Sequence, residues 1–198
     1  MKKLIIGMLA MLVALVFSGC SGSVSNMQVA NPGEKITLPK EGRAQIVFLR
    51  PSSFGFAIQS SVFEIKNNTP EIVGIVAAKK KMSYDVMPGK HTFMVVGESA
   101  DFMYADVEAN KTYYAMVTPR MGLWKARFSL APVSSIEYNS PEFTKSLEEC
   151  ELVMPNHSTK TWAQNNFDSI QSKYAEYYQK WMEKDVNSRP LLSISDGI

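Results

Sequence analysis

Few side chains in this sequence of 198 residues could carry covalent or acid–base chemistry. They are two cysteines, Cys20 and Cys150, and two histidines, His91 and His157. A hydrolase triad needs a nucleophile, a base and an orienting group within hydrogen-bond reach, and the sequence has no Gly-x-Ser-x-Gly motif. A metal site needs clustered ligands, whereas these four residues are far apart in the chain. We therefore predict no catalytic residue, no metal and no cofactor, with both histidines at the surface or in turns.

Cys20 closes an N-terminal segment that has the composition of a secretory signal. Two lysines precede an uninterrupted apolar run over residues 4–17. A basic start, an apolar core of about 7–15 residues and small residues before the cleavage site are typical of such signals. The run is shorter than the about 20 residues that a transmembrane helix needs. We therefore predict that residues 1–19 are a cleaved signal peptide.

The end of this segment, Phe17-Ser18-Gly19-Cys20, resembles the bacterial lipobox. The resemblance implies cleavage after Gly19, a thioether-linked diacylglycerol on Cys20 and an acylated amine. Phe17 stands where the pattern most often has leucine. In Gram-negative lipoproteins of this kind, a residue other than aspartate after the cysteine, here Ser21, implies transfer to the outer membrane. The alternative is an ordinary signal peptide whose cysteine is incidental.

The charge balance gives no indication of a nucleic-acid partner. The chain has 21 basic and 19 acidic residues, and residues 1–19 contain two of the basic ones and none of the acidic ones. The mature chain is therefore neutral, without the basic excess that nucleic-acid binding requires. Apolar residues at 45% and aromatic residues at 11% are enough for a packed core.

If Cys20 is lipidated, Cys150 has no partner within the chain. We predict that Cys150 is a small buried apolar residue, and a disulfide between two chains is the alternative.

Residues 20–34 are small and polar and are interrupted by Pro32-Gly33, which predicts a lipidated flexible tether. From residue 35 to 138, short β-rich runs alternate with turn residues. This pattern predicts an antiparallel β-sandwich of seven or eight strands. The predicted strands are residues 44–50, 61–65, 72–78, 81–87, 91–96, 102–107, 112–117 and 123–130.

Residues 139–198 have a helical pattern and predict a C-terminal helical appendage. Ser140-Pro141 should begin a short helix that buries Cys150. Residues 158–184 then predict one long amphipathic helix. Its apolar stripe is Ala163, Phe167, Ile170, Tyr174, Tyr177 and Trp181. Residues 152–154 are an extended piece or a break, and 191–198 have no pattern that we can assign.

Two surface features have alternative interpretations. The aromatic stripe of the long helix either packs on the sandwich or, at Trp162, Tyr178 and Trp181, forms a surface for a partner, because aromatic residues concentrate at interfaces. The basic run at residues 79–81 predicts a solvated turn, although it could also contact anionic lipid headgroups.

Two turn motifs, residues 84–91 (YDVMPGKH) and 110–114 (NKTYY), resemble a family of bacterial lipoprotein domains of unknown function. Its members also have an early strand that ends in Arg-Pro, here Arg50-Pro51. Asn110 stands where the family usually has glycine, and asparagine also tolerates positive φ. The resemblance covers about residues 42–131. It implies a small β-sandwich like the carboxypeptidase-regulatory or transthyretin-like domains, and it supplies no catalytic residues.

These observations together predict a non-enzymatic lipoprotein of the cell envelope. Lipid on Cys20 would hold it in the membrane, on the periplasmic face of the outer membrane, where it would bind or scaffold an envelope protein or polymer. One alternative is a hydrolytic enzyme acting on envelope polymers, with His91 paired to a carboxylate such as Asp85. Another is a homo-oligomeric structural element joined through Cys150 or the long helix.

Overall fold

The computed structural model describes residues 25–121 and 127–198. Within these residues, eleven strands form two sheets. The strands are β1 (Met27–Val29), β2 (Ala44–Arg50), β3 (Ser60–Lys66), β4 (Thr69–Val76), β5 (Lys80–Val86), β6 (Gly89–Val96), β7 (Ala100–Val107), β8 (Thr112–Arg120), β9 (Arg127–Pro132), β10 (Glu151–Pro155) and β11 (Leu191–Leu192). Sheet I has the order β1-β10-β5-β2-β8-β9, and sheet II has the order β11-β7-β6-β3-β4.

The prediction of a mainly β, sandwich-like fold with a C-terminal helical part is confirmed. Most neighbouring strands are antiparallel, but β2 with β8, β10 with β5 and β11 with β7 are parallel pairs. β2 is apolar on both faces, as suits a central strand, and it lies between β5 and β8 with every residue buried. The start of the strand predicted over residues 123–130 lies outside the described residues.

Alternation along the strands divides the apolar residues between three clusters. The central cluster fills the space between the sheets and includes Ile46, Phe48, Phe93 and Phe128. The next residues along the same strands face outward and are covered by helices. The sandwich therefore has a filled interior and two further apolar layers outside it.

Four helices follow β9: α1 (Ser135–Tyr138), α2 (Pro141–Glu149), α3 (His157–Asn165) and α4 (Phe167–Met182). The predicted start of the short helix is confirmed: Ser140 is the N-cap of α2, and its Oγ accepts a hydrogen bond from the Phe143 amide at 3.1 Å. α2 covers the outer face of sheet I, and α4 covers that of sheet II. Turns of 3₁₀ helix at Val186–Ser188 and Ile194–Asp196 complete the C-terminal region.

The prediction of one continuous helix over residues 158–184 is wrong, because the helix is interrupted at Asn166. The side-chain Nδ2 of Asn166 donates to the Trp162 carbonyl at 2.8 Å, and the backbone N–H of Asn166 donates to the Ala163 carbonyl at 3.3 Å. An asparagine that bonds the preceding turn in this way offers the backbone an alternative to continuing the helix. α3 therefore ends at Asn165, and a separate helix, α4, begins at Phe167.

Both ends of the described chain contribute strands to the sandwich. β1 lies within the range predicted as a flexible tether, yet it pairs with β10 and buries Met27. β10 is the segment predicted as an extended piece or a break, and β11 lies in the tail to which no pattern was assigned. β10 is a strand of sheet I and β11 is a strand of sheet II. The C-terminal region is therefore part of the sandwich rather than only an appendage to it.

The two turn motifs adopt the backbone conformations that their residues predict. Gly89 has a φ of 120° and Asn110 a φ of 61°. The Oδ1 of Asn110 accepts a hydrogen bond from the Gly42 amide at 2.9 Å. The asparagine therefore keeps the turn and adds a side-chain bond that glycine could not make.

Candidate functional site

A cluster of ionisable side chains lies between the sheets around Glu64. Glu64, on β3, contacts the Nδ1 of His91 on β6 at 2.6 Å. Its other oxygen accepts a hydrogen bond from the Tyr84 hydroxyl at 2.8 Å and lies 3.1 Å from the Lys66 ammonium. Tyr84 belongs to sheet I and Glu64 to sheet II, so this contact joins the two sheets. The Glu64 side chain is only 5% exposed.

The imidazole of His91 has an acceptor at each nitrogen. The Glu64 carboxylate faces Nδ1, and the Met87 carbonyl lies 2.7 Å from Nε2. Neither partner has a proton to donate, because the pKa of Glu64 is low and a carbonyl is only an acceptor. The protonated ring is the form that can donate to both acceptors, and both partners favour it, which agrees with the raised pKa of His91.

The pKa shifts of Glu64, His91 and Tyr84 agree with the hydrogen bonds in the cluster. Burial would raise the pKa of Glu64, but hydrogen bonds from His91, Tyr84 and Lys66 outweigh it and lower this pKa to about 2. Burial would lower the pKa of His91, but its bonds to Glu64 and the Met87 carbonyl raise it above the usual value. Burial and the bond to Glu64 raise the pKa of Tyr84 to about 12. The cluster is therefore a satisfied ionic network.

The hydrolase alternative called for His91 beside a carboxylate such as Asp85; the structure does place a carboxylate there, but it is Glu64 and not Asp85. Asp85 follows Tyr84 on β5, and successive side chains on a strand point to opposite faces. Asp85 instead lies 3.3 Å from the Lys40 ammonium and 3.4 Å from the Gln45 amide nitrogen. A cavity of about 390 Å³ adjoins β6, β7 and β11. Its lining residues are Lys90, His91, Thr92, Tyr104, Ala105, Asp106 and Leu191. Because both nitrogens of His91 are already bonded, His91 offers this cavity no general base.

The remaining residues that the sequence marked for chemistry have structural surroundings. His157 is the exposed first residue of α3. Cys150 is a free cysteine, 2% exposed, at the C-cap of α2, where it packs with Val47, Leu49 and Phe143. Burial raises the pKa of the Cys150 thiol to about 11, so it stays protonated and unreactive at neutral pH. The prediction that Cys150 is a buried apolar residue is confirmed.

The basic run at residues 79–81 is not a solvated turn. Lys79 pairs with Glu149 at 2.7 Å, and Lys80, whose side chain is 3% exposed, pairs with Glu151. Lys81 donates to the Leu147 carbonyl at 2.6 Å. These contacts join the start of β5 to α2 and β10. The prediction of a solvated turn is therefore wrong, and the lysines are occupied within the fold rather than available to lipid headgroups.

The aromatic stripe packs on sheet II. Trp181 is 2% exposed, with its ring centroid 5.7 Å from that of Phe102 and 4.8 Å from that of Tyr104. Tyr178 is half-buried, 5.1 Å from Phe102. A partner cannot reach Trp181 while the helix is docked. The prediction of a partner surface is wrong at Trp181, and the interpretation of the stripe as a cover for one sheet is confirmed.

Trp162 has a different position, because it lines a groove at the end of the sandwich where β3 begins. The groove has a volume of about 560 Å³. Its lining residues are Ile58, Gln59, Ser61, Val96, Gly97, Glu98, Trp162 and Lys173. Sequence reasoning found only Trp162, since the other residues come from separate strands and loops that only the tertiary structure brings together.

The loop of residues 51–59, between β2 and β3, borders this groove and is built on Arg50. Arg50 is fully buried, and its guanidinium donates to the carbonyls of Phe54, Gly55 and Ile58 at 2.7–2.9 Å. Its Cζ lies 4.5 Å from the centre of the Phe128 ring. Burial lowers the pKa of Arg50 to about 10, so it remains charged at neutral pH. Sequence reasoning identified Arg50 only as part of the family motif.

Neither a metal-binding cluster nor a membrane-spanning helix is found in the part of the chain that the structure describes. Residues 25–121 and 127–198 contain no group of three or more His, Cys, Asp or Glu side chains placed to hold a metal ion. No helix in the same ranges has the length and apolarity needed to cross a membrane.

Comparison with family models and with curated proteins does not identify a family for this chain. The chain matches no family model, and its sequence has no significant match among curated proteins. The structure defines a mainly β protein, a two-sheet sandwich with a C-terminal helical region. The resemblance of the two turn motifs to a lipoprotein family stays a prediction.

Proposed function

We propose that this protein is a non-enzymatic lipoprotein of the cell envelope, held by lipid on Cys20 at the periplasmic face of the outer membrane. The observation that carries the proposal is the motif Phe17-Ser18-Gly19-Cys20 at the end of an apolar signal-like run. Several acyl chains on one cysteine give lasting attachment, since each buried methylene contributes about 0.8 kcal/mol.

The position of the first described residues supports a short connection between the anchor and the sandwich. The Oγ of Ser25 accepts a hydrogen bond from the Gln59 amide nitrogen at 3.1 Å. Thr159 Oγ1 bonds the Asn26 carbonyl, and β1 begins at Met27. A lipid on Cys20 would therefore hold the folded protein close to the membrane surface.

The state of His91 supports a binding or scaffolding role rather than catalysis. A general base needs an accessible lone pair, and both nitrogens of His91 lie within hydrogen-bond distance of an acceptor, the Glu64 carboxylate and the Met87 carbonyl. The groove lined by Ile58, Val96 and Trp162 is the site that we propose for an envelope protein or polymer. It combines apolar walls with polar groups, as binding sites generally do.

Membrane fractionation of a Cys20→Ser variant tests the anchoring. We expect the wild-type protein in the membrane fraction and the variant in the soluble periplasmic fraction. Cys150→Ala is the matched control, because it removes the other cysteine and should leave the protein in the membrane. A Cys20→Ser protein that stays wholly membrane-bound would contradict the proposal.

Photo-crosslinking in cells tests the groove. A photoreactive phenylalanine analogue in place of Trp162 should give a discrete crosslinked product. The same analogue at Ile136, which is 86% exposed on the helix α1, should not give that product. Identical products from both positions would mean that the groove is not the binding site.

A further inference from the structure

We propose that the loop of residues 51–59 rests on the lipid surface beside the anchor and inserts Phe54 and Phe56 into the boundary between headgroups and acyl chains. This inference depends on the proposed lipidation of Cys20, and it adds a second contact with the membrane that comes from the folded protein itself.

The two phenylalanines are exposed in a way that suits an apolar environment. Phe54 is 51% exposed and Phe56 is 53% exposed, on either side of Gly55. The sequence of the loop, PSSFGFAIQ, contains no charged residue. Entering the interface would therefore remove apolar ring surface from water without the cost of desolvating a charge.

The loop is fixed in this shape by the buried Arg50. Its guanidinium takes the carbonyls of Phe54, Gly55 and Ile58, so the backbone of the loop is bonded toward the interior. Among the described residues, no carboxylate lies within salt-bridge distance of Arg50. The loop carbonyls are therefore the acceptors for the two terminal nitrogens of Arg50, and these three bonds specify the loop conformation.

Local bonds stabilise the same conformation. The Ser52 hydroxyl accepts from the Phe54 amide at 3.1 Å, and the Ile58 amide donates to the Gly55 carbonyl at 2.9 Å. Gly55 has a φ of 65°, a conformation that glycine adopts without strain. A loop that is ordered before binding loses little conformational entropy when its side chains are immobilised at a surface.

The length of chain between the lipidated Cys20 and the folded protein limits the surfaces that the loop can contact. Gln59, the last residue of the loop, donates to Ser25 at 3.1 Å. The stretch from Cys20 to Ser25 can reach at most about 18 Å, at about 3.5 Å per residue. Gln59 therefore stays within that distance of the lipidated cysteine, plus the width of the Gln59–Ser25 contact, and Phe56 lies only three residues further along the loop. The nearest apolar phase is the bilayer that holds the acyl chains.

Lipid-based fluorescence quenching tests the inference on the intact lipidated protein. A polarity-sensitive fluorophore is attached at Phe56→Cys, and the protein is reconstituted in vesicles of phosphatidylethanolamine and phosphatidylglycerol that contain a spin-labelled lipid. Cys150 should not react, since it is 2% exposed, and Cys20 carries the lipid. The matched control is the same label at Ile136→Cys, which is 86% exposed on α1.

We expect the label at position 56 to be quenched at least about threefold more than the label at position 136, with its emission shifted to shorter wavelength. Equal, weak quenching at both positions in a protein whose mass includes the lipid would overturn the inference while leaving the anchor intact. A label at 56 that is protected by a bound protein instead of lipid would also overturn it. A mature protein without lipid on Cys20 would overturn both the inference and the proposed function.

Discussion

The carboxylate of Glu64 and the imidazole of His91 lie 2.6 Å apart, and together they hold β3 against β6 at one end of the sandwich. The Tyr84 hydroxyl extends this contact to the opposite sheet. A histidine beside a carboxylate could indicate a catalytic pair, but here the second nitrogen is bonded to the Met87 carbonyl. The relationship between Glu64 and His91 therefore stabilises the fold.

Replacing Glu64 with glutamine should destabilise the protein substantially. Glu64→Gln keeps the shape but leaves His91 and Lys66 without their shared carboxylate in a partly buried site. We expect the free energy of unfolding to fall by about 3 kcal/mol in urea titrations. Glu71→Gln is the control, because Glu71 is 55% exposed and forms a surface ion pair with Lys66, and it should cost less than about 1 kcal/mol. Equal effects of the two substitutions would contradict the buried network.

The stability that Glu64 provides should depend on pH in the acidic range. Its folded pKa of about 2 lies below the unfolded value of about 4.5. The contribution is therefore fully present above pH 4.5 and is lost as pH falls towards 2. The difference in unfolding free energy between wild type and Glu64→Gln should shrink across that window. A difference that stays constant from pH 6 to pH 2.5 would argue against the low pKa.

The contribution of His91 should change in the opposite direction. The pKa of His91 is raised in the folded protein, so the protonated form is stabilised. This stability is fully present below the unfolded pKa of about 6.5 and is lost as pH rises through the folded pKa. The difference in unfolding free energy between wild type and His91→Gln should therefore be larger at pH 5.5 than at pH 9. Titration of the His91 ring by NMR would measure the pKa directly, and a value below 6.5 would contradict the doubly bonded imidazolium.

Several of these relationships could be read from the sequence, and others could not. The central position of β2 followed from its two apolar faces, and the packing of Phe93 and Val95 on one face of β6 followed from alternation. Alternation along β3 puts Glu64 on the same face as Val62, and sequence reasoning missed this signal of a buried carboxylate. Its pairing with His91 depends on the register between β3 and β6, which no local pattern specifies.

In the helical region, the local signal that ends α3 was present in the sequence, but the apolar periodicity pointed to one continuous helix. The stripe of apolar residues continues across Asn166, and periodicity alone therefore predicted one helix. Asn165 and Asn166 are weak helix formers, and the side chain of Asn166 bonds the backbone of the preceding turn, so this local preference ends α3. The burial of Arg50 had no such signal, because its acceptors are carbonyls of a loop whose path no local pattern specifies.

Arg50 should be sensitive even to a conservative change. Arg50→Lys keeps the charge but loses the planar guanidinium that reaches the carbonyls of Phe54, Gly55 and Ile58. We expect a loss of about 2–3 kcal/mol in unfolding free energy, together with faster proteolysis within residues 51–59. Arg43→Lys, at a partly exposed position, should have little effect on either measurement. Unchanged protease resistance in Arg50→Lys would show that Arg50 does not order the loop.

Trp181 and Phe167 should separate the packed part of the aromatic stripe from its exposed part. Trp181→Ala removes a fully buried ring beside Phe102 and should cost about 3–5 kcal/mol. Phe167 lies in the same helix but is 43% exposed, so Phe167→Ala should cost about 1 kcal/mol or less. The comparison uses thermal or urea unfolding. A Trp181→Ala protein as stable as wild type would mean that the helix is not docked on sheet II.

The lipidation of Cys20 is tested most directly by the intact mass of the mature protein and of its N-terminal peptide, purified from cell membranes. We predict a chain that begins at Cys20 and carries a diacylglycerol and an acylated amine. A mature N-terminus at any other residue, or a Cys20 without lipid, would contradict the central claim that this sandwich is held at the membrane by its first cysteine.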